Sequence, residues 1–462
     1  MTPEYYEKVM NFAEGYRTFL DHGKTERECA SEIVSRVRAA GYKALDEVQK
    51  IKPGDKVYAV WMKKSVILFR AGSEPMRCGM KILGAHIDSP RLDIKQNPLY
   101  ESEEKAFEAS GRHGLAYLDT HYYGGVKKYQ WVTLPLAIHG VIVKKDGTVV
   151  NVVIGEDEND PVFCISDLLI HLSSAQLEKK ASAVVEGEKL DVIVGSLPID
   201  DDNAKDAVKA NVLRILKERY DIEEKDFLSA ELEVVPAGKA RNMGIDSGMV
   251  LAYGQDDRVC AYASLEAFLS IKKPKYTCCC ILVDKEEIGS VGATGMQSRF
   301  FENAVAGLIQ KKEGFDELVL RECLASSVML SSDVSAAYDS LYGSVFEPKN
   351  SAFLGKGMVF NKYTGSRGKS GSNDANPEFI AAIRKALEEE EVSYQTAELG
   401  RVDAGGGGTI AYIMALYGMQ VVDCGVAVLS MHAPWEVTDK RDLYETFKGY
   451  CAFLTKVNPG IV

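Results

Sequence analysis

Hydrophobic runs long enough to cross a bilayer are missing: no apolar stretch of this 462-residue chain approaches the ~18 residues that a spanning helix needs. A basic segment followed by an apolar one is missing at the N-terminus. The opening MTPEYYEKVMNFAEGYRTFL is polar and mixed in charge, so no signal peptide is expected. The ten cysteines include no CxxC pair, and a chain of this size needs no disulfide staples. Reduced thiols in a cytoplasmic setting are the expectation. Cys278, Cys279 and Cys280 run on into Ile281-Leu282-Val283. Neighbours on a strand face opposite ways, so these three cannot jointly hold one metal and read as small core hydrophobes. Positive charge is in deficit: 55 Lys and Arg against 67 Asp and Glu leave a net charge of −12. Such a chain repels phosphate, which excludes general nucleic-acid and anionic-membrane binding. Peptides, small molecules and metal cations remain as partners. No internal repeat or low-complexity tract is present.

What is there is ordinary globular composition, 46% apolar and 26% charged, in a chain long enough for two domains or three. Thr25-Glu26-Arg27-Glu28 is a capping-box pattern, and Ala30, Ile33, Val34 and Val37 then recur at helical spacing. Short apolar runs follow at Val57–Met62, Ser65–Phe69 and Lys81–Ala85. From about residue 96 the texture changes to short alternating runs, Trp131–Leu136, Ala137–Val143 and Val149–Ile154, with a hairpin signal at Lys144-Lys145-Asp146-Gly147. Glu186–Pro198 reads as a further strand pair and Asp206–Tyr220 as a helix. After residue 240, strand-like runs alternate with helices again. The reading is an α/β fold with a mixed sheet flanked by helices, split into residues 1–95 and 241–462 by an inserted β-rich domain, 96–240.

Five runs share one ending. Lys81–Ala85 stops at His86, Met249–Tyr253 leads to Asp256-Asp257, and Cys278–Val283 leads to Asp284-Lys285-Glu286-Glu287. Val328–Ser331 leads to Asp333, and Val426–Ser430 to His432. Functional groups of open α/β sheets gather beyond the carboxyl ends of strands, so these residues are expected in one site. Two imidazoles and four or five carboxylates in one place repel unless a cation joins them. Imidazole with carboxylate and no thiolate suits Zn²⁺, Co²⁺ or Mn²⁺ in a catalytic setting. The donors divide over two ions: His86 with one carboxylate, His432 with another, and a shared aspartate between. One acid must stay unligated to take a proton from water, and the diverging side chains of Glu286-Glu287 provide for that. Asp88, two residues after His86, faces the same way along an extended chain and can orient its imidazole.

Two glycine motifs carry less. Gly368-Lys369-Ser370 lacks a glycine at the P-loop position, where Tyr363 stands. Ala404-Gly405-Gly406-Gly407-Gly408-Thr409 has no dinucleotide spacing. It can be a plain turn, or its backbone at Gly407 can approach a ligand with Asp403 beside the substrate amine.

Leu83-Gly84-Ala85-His86-Ile87-Asp88-Ser89-Pro90, Gly254-Gln255-Asp256-Asp257-Arg258, Asp284-Lys285-Glu286-Glu287-Ile288-Gly289-Ser290, Ser331-Ser332-Asp333 and Ser430-Met431-His432-Ala433 occur in the order found in the family M18 metallo-aminopeptidases. The chain resembles that family, of the aspartyl aminopeptidase and aminopeptidase I type, over nearly its whole length, including Leu136-Ala137-Ile138-His139 in the insert. The resemblance implies a zinc-exopeptidase-like fold with an inserted dimerisation domain. It implies two divalent ions on His86, Asp256, Glu287, Asp333 and His432, with Asp256 bridging and Glu286 as general base. It also implies that His139 serves a neighbouring subunit's site, and a homo-oligomer, a dodecamer built from dimers, that acts on peptide N-termini. Aspartyl aminopeptidases carry histidines three and six residues after the metal aspartate, where this chain has Ala336 and Asp339. Their substrate lysine falls near Asn361-Lys362. Lys362, Arg367 and Lys369 give this loop a positive bias, so an acidic first residue is one option among others. A related binuclear amidohydrolase or carboxypeptidase is the alternative reading; a silent metal-binding scaffold fits less well, having no use for an unligated Glu286.

Overall fold

The structure is a computed structural model and describes residues 2–102, 113–200, 205–365 and 368–460. Two compact units emerge, one of Met1–Ser89, Ala240–Met431 and Trp435–Val462, the other of Pro90–Lys239 with His432–Pro434.

The larger unit is built on a mixed sheet of nine described strands. Its order is Lys43–Ala44, Lys56–Trp61, Ser65–Arg70, Cys278–Val283, Lys81–His86, Val328–Ser332, Gln420–Gly425, Met358–Asn361 and Tyr394–Thr396. The four strands Cys278–Val283, Lys81–His86, Val328–Ser332 and Gln420–Gly425 run parallel at its centre, which is why they read as unbroken apolar runs rather than alternating ones. Each face has its own core. Cys278, Cys280, Leu83 and Leu330 pack with Phe19, Ile33, Phe268 and Phe453 from helices Pro3–His22, Glu26–Ala39, Gln255–Ser270 and Lys440–Lys456. Cys279, Ile82 and Met329 pack on the other side with Phe301, Leu308 and Leu320 from helices Phe300–Lys312 and Glu317–Ser326. The three consecutive cysteines are thus buried hydrophobes in two different cores, and all ten thiols are free. The capping box at Thr25 forms in full, starting helix Glu26–Ala39.

A second sheet of this unit joins Arg241–Met243, Met249–Ala252, Glu436–Asp439, Ala427–Leu429 and Ser335–Ala336. This corrects one expectation. The runs leading to Asp256 and His432 belong to this smaller sheet, so only three of the five run ends lie side by side in the large one.

The smaller unit carries a six-stranded sheet, in the order Val149–Ile154, Leu136–Val143, Ala230–Pro236, Arg91–Glu101, Ala116–Tyr123 and Val192–Gly195. Val143 and Val149 pair across the expected hairpin, with Gly147 at φ 89°. Two strand expectations fail here. Trp131–Val132 are buried in an irregular bend, because Thr133 turns left-handed (φ 61°) and Pro135 follows; extended pairing starts only at Leu136. Glu186–Pro198 supplies one strand, Val192–Gly195, preceded by a helical turn at Gly187–Lys189.

Candidate metal centre

His86 ends the strand Lys81–His86, all six residues of which are buried. The chain continues extended, with the Ile87 N–H donating to Val283 O at 2.8 Å, and this places Asp88 back beside the ring. His86 Nδ1 lies 3.0 Å from the Asp88 carbonyl and 3.3 Å from its carboxylate. Nε2 faces the other way, 3.2 Å from Asp256 Oδ1 and 3.9 Å from both Glu286 Oε2 and Asp333 Oδ1. One imidazole nitrogen is therefore held by the strand's continuation, and the other looks into three acids.

Each acid is fixed by local structure. Gly254 turns left-handed (φ 68°) before helix Gln255–Ser270, where a Cβ would collide with the Arg258 guanidinium. The backbone of Asp256 is gripped from both sides: its N–H donates to Glu436 Oε2 (3.0 Å) and its carbonyl accepts from Ser89 Oγ (2.7 Å). Arg258, buried behind the pair, donates to the carbonyl of Ile87 (3.2 Å) and ties this turn to the His86 strand. After strand Cys278–Val283, Lys285 is left-handed (φ 70°), and the N–H groups of Glu286 and Glu287 donate to the two oxygens of Asp88 at 3.1 and 3.2 Å. Asp88 thus orients the imidazole and anchors both glutamates. Asp333 follows its strand with its N–H on Cys424 O at 2.9 Å.

The donor atoms converge in two groups, His86 with Asp256 and Glu287, and His86 with Asp257 and Asp333, each within 4.8 Å. Burial pushes the Asp333 carboxyl well above its ordinary range, and the neighbouring charges of Asp257 and Glu286 add to this. Burial likewise raises Asp257. Burial opposes a charge on His86, but hydrogen bonding to Asp256 and Asp88 outweighs it, so its pKa rises well above the ordinary value. Acids packed this closely keep their charge only with positive charge among them. Asp257, fully buried, has a hydrogen-bond partner of good geometry for neither carboxylate oxygen among the described residues. Orphaned buried oxygens beside imidazole and carboxylate, with no thiolate in either group, fit a catalytic zinc. Asp257 is the residue that the sequence leaves unmarked, since one shared aspartate satisfies the expected ligand set and Asp256 fills that place. Only the fold shows that both carboxyls are enclosed with His86.

His432 belongs to the smaller compact unit, with Nδ1 3.0 Å from the Gly125 carbonyl. His139 is buried in strand Leu136–Val143, its Nε2 3.1 Å from Glu156 Oε1. Asp403 is exposed, at φ 70°. The Gly407 carbonyl accepts from the Gly365 N–H at 2.6 Å. Lys362 is exposed and 3.7 Å from Asp374, whose other oxygen is 3.5 Å from Lys369. Among the described residues, none of Asp403, Gly407 and Lys362 hydrogen-bonds to the His86 cluster. Arg367 lies outside the described residues.

Residues 19–454 match the model of the family described as aminopeptidase I zinc metalloprotease (M18). A curated relative from Clostridium acetobutylicum, a probable M18 family aminopeptidase 1, is 61% identical over 452 residues, covering 97% of this chain and 95% of its own. The crystal structure of an M18 family aminopeptidase from Thermotoga maritima superposes with a TM-score of 0.92 at 43% identity, covering 98% of this chain and 97% of its own. The fold also extends to the S. cerevisiae mApe1 dodecamer, at a TM-score of 0.75 and 19% identity, with 96% of this chain and 95% of that one covered. With the ligand chemistry, the family match and these identities agreeing over nearly the full length, the chain belongs to the M18 family of zinc metallo-aminopeptidases.

Proposed function

We propose that this aminopeptidase holds two divalent ions, zinc or else cobalt or manganese, and that Glu286 does the proton transfer that removes a peptide's first residue. The observation that carries the reading is the ring of Asp256, Asp333 and Glu286 around His86 Nε2, with the Glu286 backbone anchored on Asp88. The carboxylates of Asp256, Asp257, Glu287 and Asp333 gathered about the one imidazole of His86 are more than a single ion needs, which supports a pair. In this assignment His86, Glu287, Asp333 and His432 would hold the ions, with Asp256 as the ligand common to both. Asp88 fixes the imidazole, and His432 rests on the motif Ser430–Ala433. When bound, the ions supply Lewis acidity, lowering the pKa of water and polarising the scissile carbonyl. Glu286 takes the proton of the attacking water and returns it to the departing amine.

The loop of Lys362 supports a neutral first residue over an acidic one. Asp374 already faces both Lys362 and Lys369, and Ala336 and Asp339 stand where aspartyl aminopeptidases carry histidines. Ten free thiols suit a cytoplasmic setting, and no helix among the described residues is long and apolar enough to cross a membrane. Assembly into a dodecamer of dimers, through residues 96–240, with His139 serving a neighbour's site, is supported by the Leu136–His139 resemblance and by the mApe1 dodecamer of the same fold.

A panel of aminoacyl substrates, each free or N-acetylated, tests the reaction with zinc content measured in parallel. Hydrolysis of the free-amine set alone, abolished by chelation and restored by metal, is the expected result; equal turnover of acetylated substrates overturns it. Co-expressed Glu286→Gln and His139→Ala chains with different tags test the trans role. Doubly tagged hybrids should regain activity, because one of their sites has both residues intact. Inactive hybrids with normal metal content would place His139 in cis or outside the reaction.

A further inference from the structure

Glu286 and Glu287 sit on a segment that does not hold its own shape. Lys285 and Ser290 are both left-handed, at φ 70° and 58°, which side chains with a Cβ adopt only when their surroundings impose it. Asp88 grips the middle of this segment through the N–H groups of Glu286 and Glu287. Its two ends are gripped by a residue that belongs to no ligand motif. Ser65, fully buried at the start of strand Ser65–Arg70, accepts from the Asp284 N–H at 3.2 Å and donates to the Thr294 carbonyl at 2.6 Å. Thr294 completes the contact by donating its hydroxyl to Asp284 Oδ2, also at 2.6 Å. One hydroxyl thereby joins the first and last residues of an eleven-residue loop, Asp284 to Thr294, whose interior carries the glutamates. Strand Ser65–Arg70 pairs with Cys278–Val283, with Val66 opposite Leu282, so the hydroxyl emerges where that strand ends and the loop begins.

We infer that Ser65 is a positioning residue for Glu286: with Thr294 it closes the loop Asp284–Thr294 and so fixes where the glutamate stands relative to His86. This rests on the reading of Glu286 as the base. Ser65 itself touches neither His86 nor the acids around it in any hydrogen bond among the described residues. Its influence is on placement, and a shift on the order of an ångström at a proton-transferring group costs up to about 10²-fold in rate.

The test uses the full-length zinc-loaded enzyme. Ser65→Ala should lower kcat roughly 10- to 100-fold with KM and zinc content little changed. Hydrogen exchange over 284–294 should speed up while exchange in strand Lys81–His86 stays as it was. Thr294→Val, which removes only the Thr294–Asp284 bond, should move both readouts the same way by less, and it carries the test if Ser65→Ala does not fold. The decisive measurement places each change in a Glu286→Gln background. If Ser65 acts through Glu286, its effect on the residual rate shrinks to within about twofold; an undiminished effect there, or a normal kcat for both single variants, overturns the proposal. Near-normal turnover of Glu286→Gln alone would instead remove the base assignment, a separate outcome.

Discussion

Two loop regions of the larger unit make opposite use of strained backbone. In Asp284–Thr294 the left-handed residues other than glycine are Lys285 and Ser290, and the loop around them is held by buried Ser65, which bonds Asp284 and Thr294, and by Asp88, which accepts from the N–H groups of Glu286 and Glu287. In Val402–Gly408 left-handed Asp403 and the glycines are largely exposed, tied down by the Gly365–Gly407 pairing and, one residue later, by Thr409 on buried Asp423. The first region gives up conformational freedom to fix two glutamates beside a histidine. The second spends little on order and has room to adapt. Buried hydrogen bonds concentrate where groups are held at defined distances, and they thin out in exposed loops.

Substitutions should separate the two regions by size of effect. Asp256→Ala should do most, leaving no measurable turnover and fewer than two zinc ions per chain, because the ligand proposed as common to both ions is lost. Glu287→Ala should be milder, and metal analysis of the two variants side by side decides whether Asp256 bridges. Glu286→Gln comes next, with turnover down at least ~10²-fold and zinc retained, since only proton transfer is removed. Asp88→Asn should cost roughly 10- to 100-fold in zinc affinity or turnover, the scale seen when the group orienting a metal-binding histidine is lost. A competition titration with a zinc chelator reads the affinity directly.

In the exposed region the same experiments should register little. Lys362→Ala, which removes an exposed partner of Asp374, should change kcat/KM for a neutral substrate by less than about fivefold, in keeping with the ~1 kcal/mol ceiling of surface ion pairs. A larger loss confined to acidic substrates would restore the acidic preference. Asp423, beneath the glycines, is moved up by burial to about 7, with hydrogen bonds from Thr409 and Asn373 only partly opposing this. The folded state then holds a proton that the unfolded chain has released. Its contribution to stability is complete below the ordinary carboxyl pKa of 3.8 and is lost as pH rises through about 7. Asp423→Asn should flatten the dependence of Tm on pH between those limits; an unchanged slope would show that Asp423 is ionised throughout.

The ends of the central strands were legible because parallel strands buried on both faces must be continuous apolar runs, and the first His or Asp after such a run stands out. His86, Glu286, Glu287 and Asp333 stand out for this reason. Spacing could not say that Met249–Ala252 and Ala427–Leu429 lie in a different sheet, since strands of three or four residues carry no mark of their neighbours. Trp131–Leu136 misleads because a buried Trp in an irregular bend has the composition of a strand, which left-handed Thr133 and then Pro135 break. Ser65 left no trace either. A serine at the start of a strand is commonplace, and its two partners lie 219 and 229 residues away.

The run Cys278-Cys279-Cys280 lends the enzyme a chemical clock. Each thiol is sealed in the folded state, and burial pushes Cys278 up to about 12, so an alkylating reagent reacts only when the sheet opens. Cys278 and Cys280 look into the core under helices Pro3–His22 and Gln255–Ser270, whereas Cys279 and Cys323 share the opposite one. Pulsed alkylation read by mass spectrometry would therefore time the release of each helical layer separately. Three adjacent residues on one strand would tell which side of the sheet is shed first.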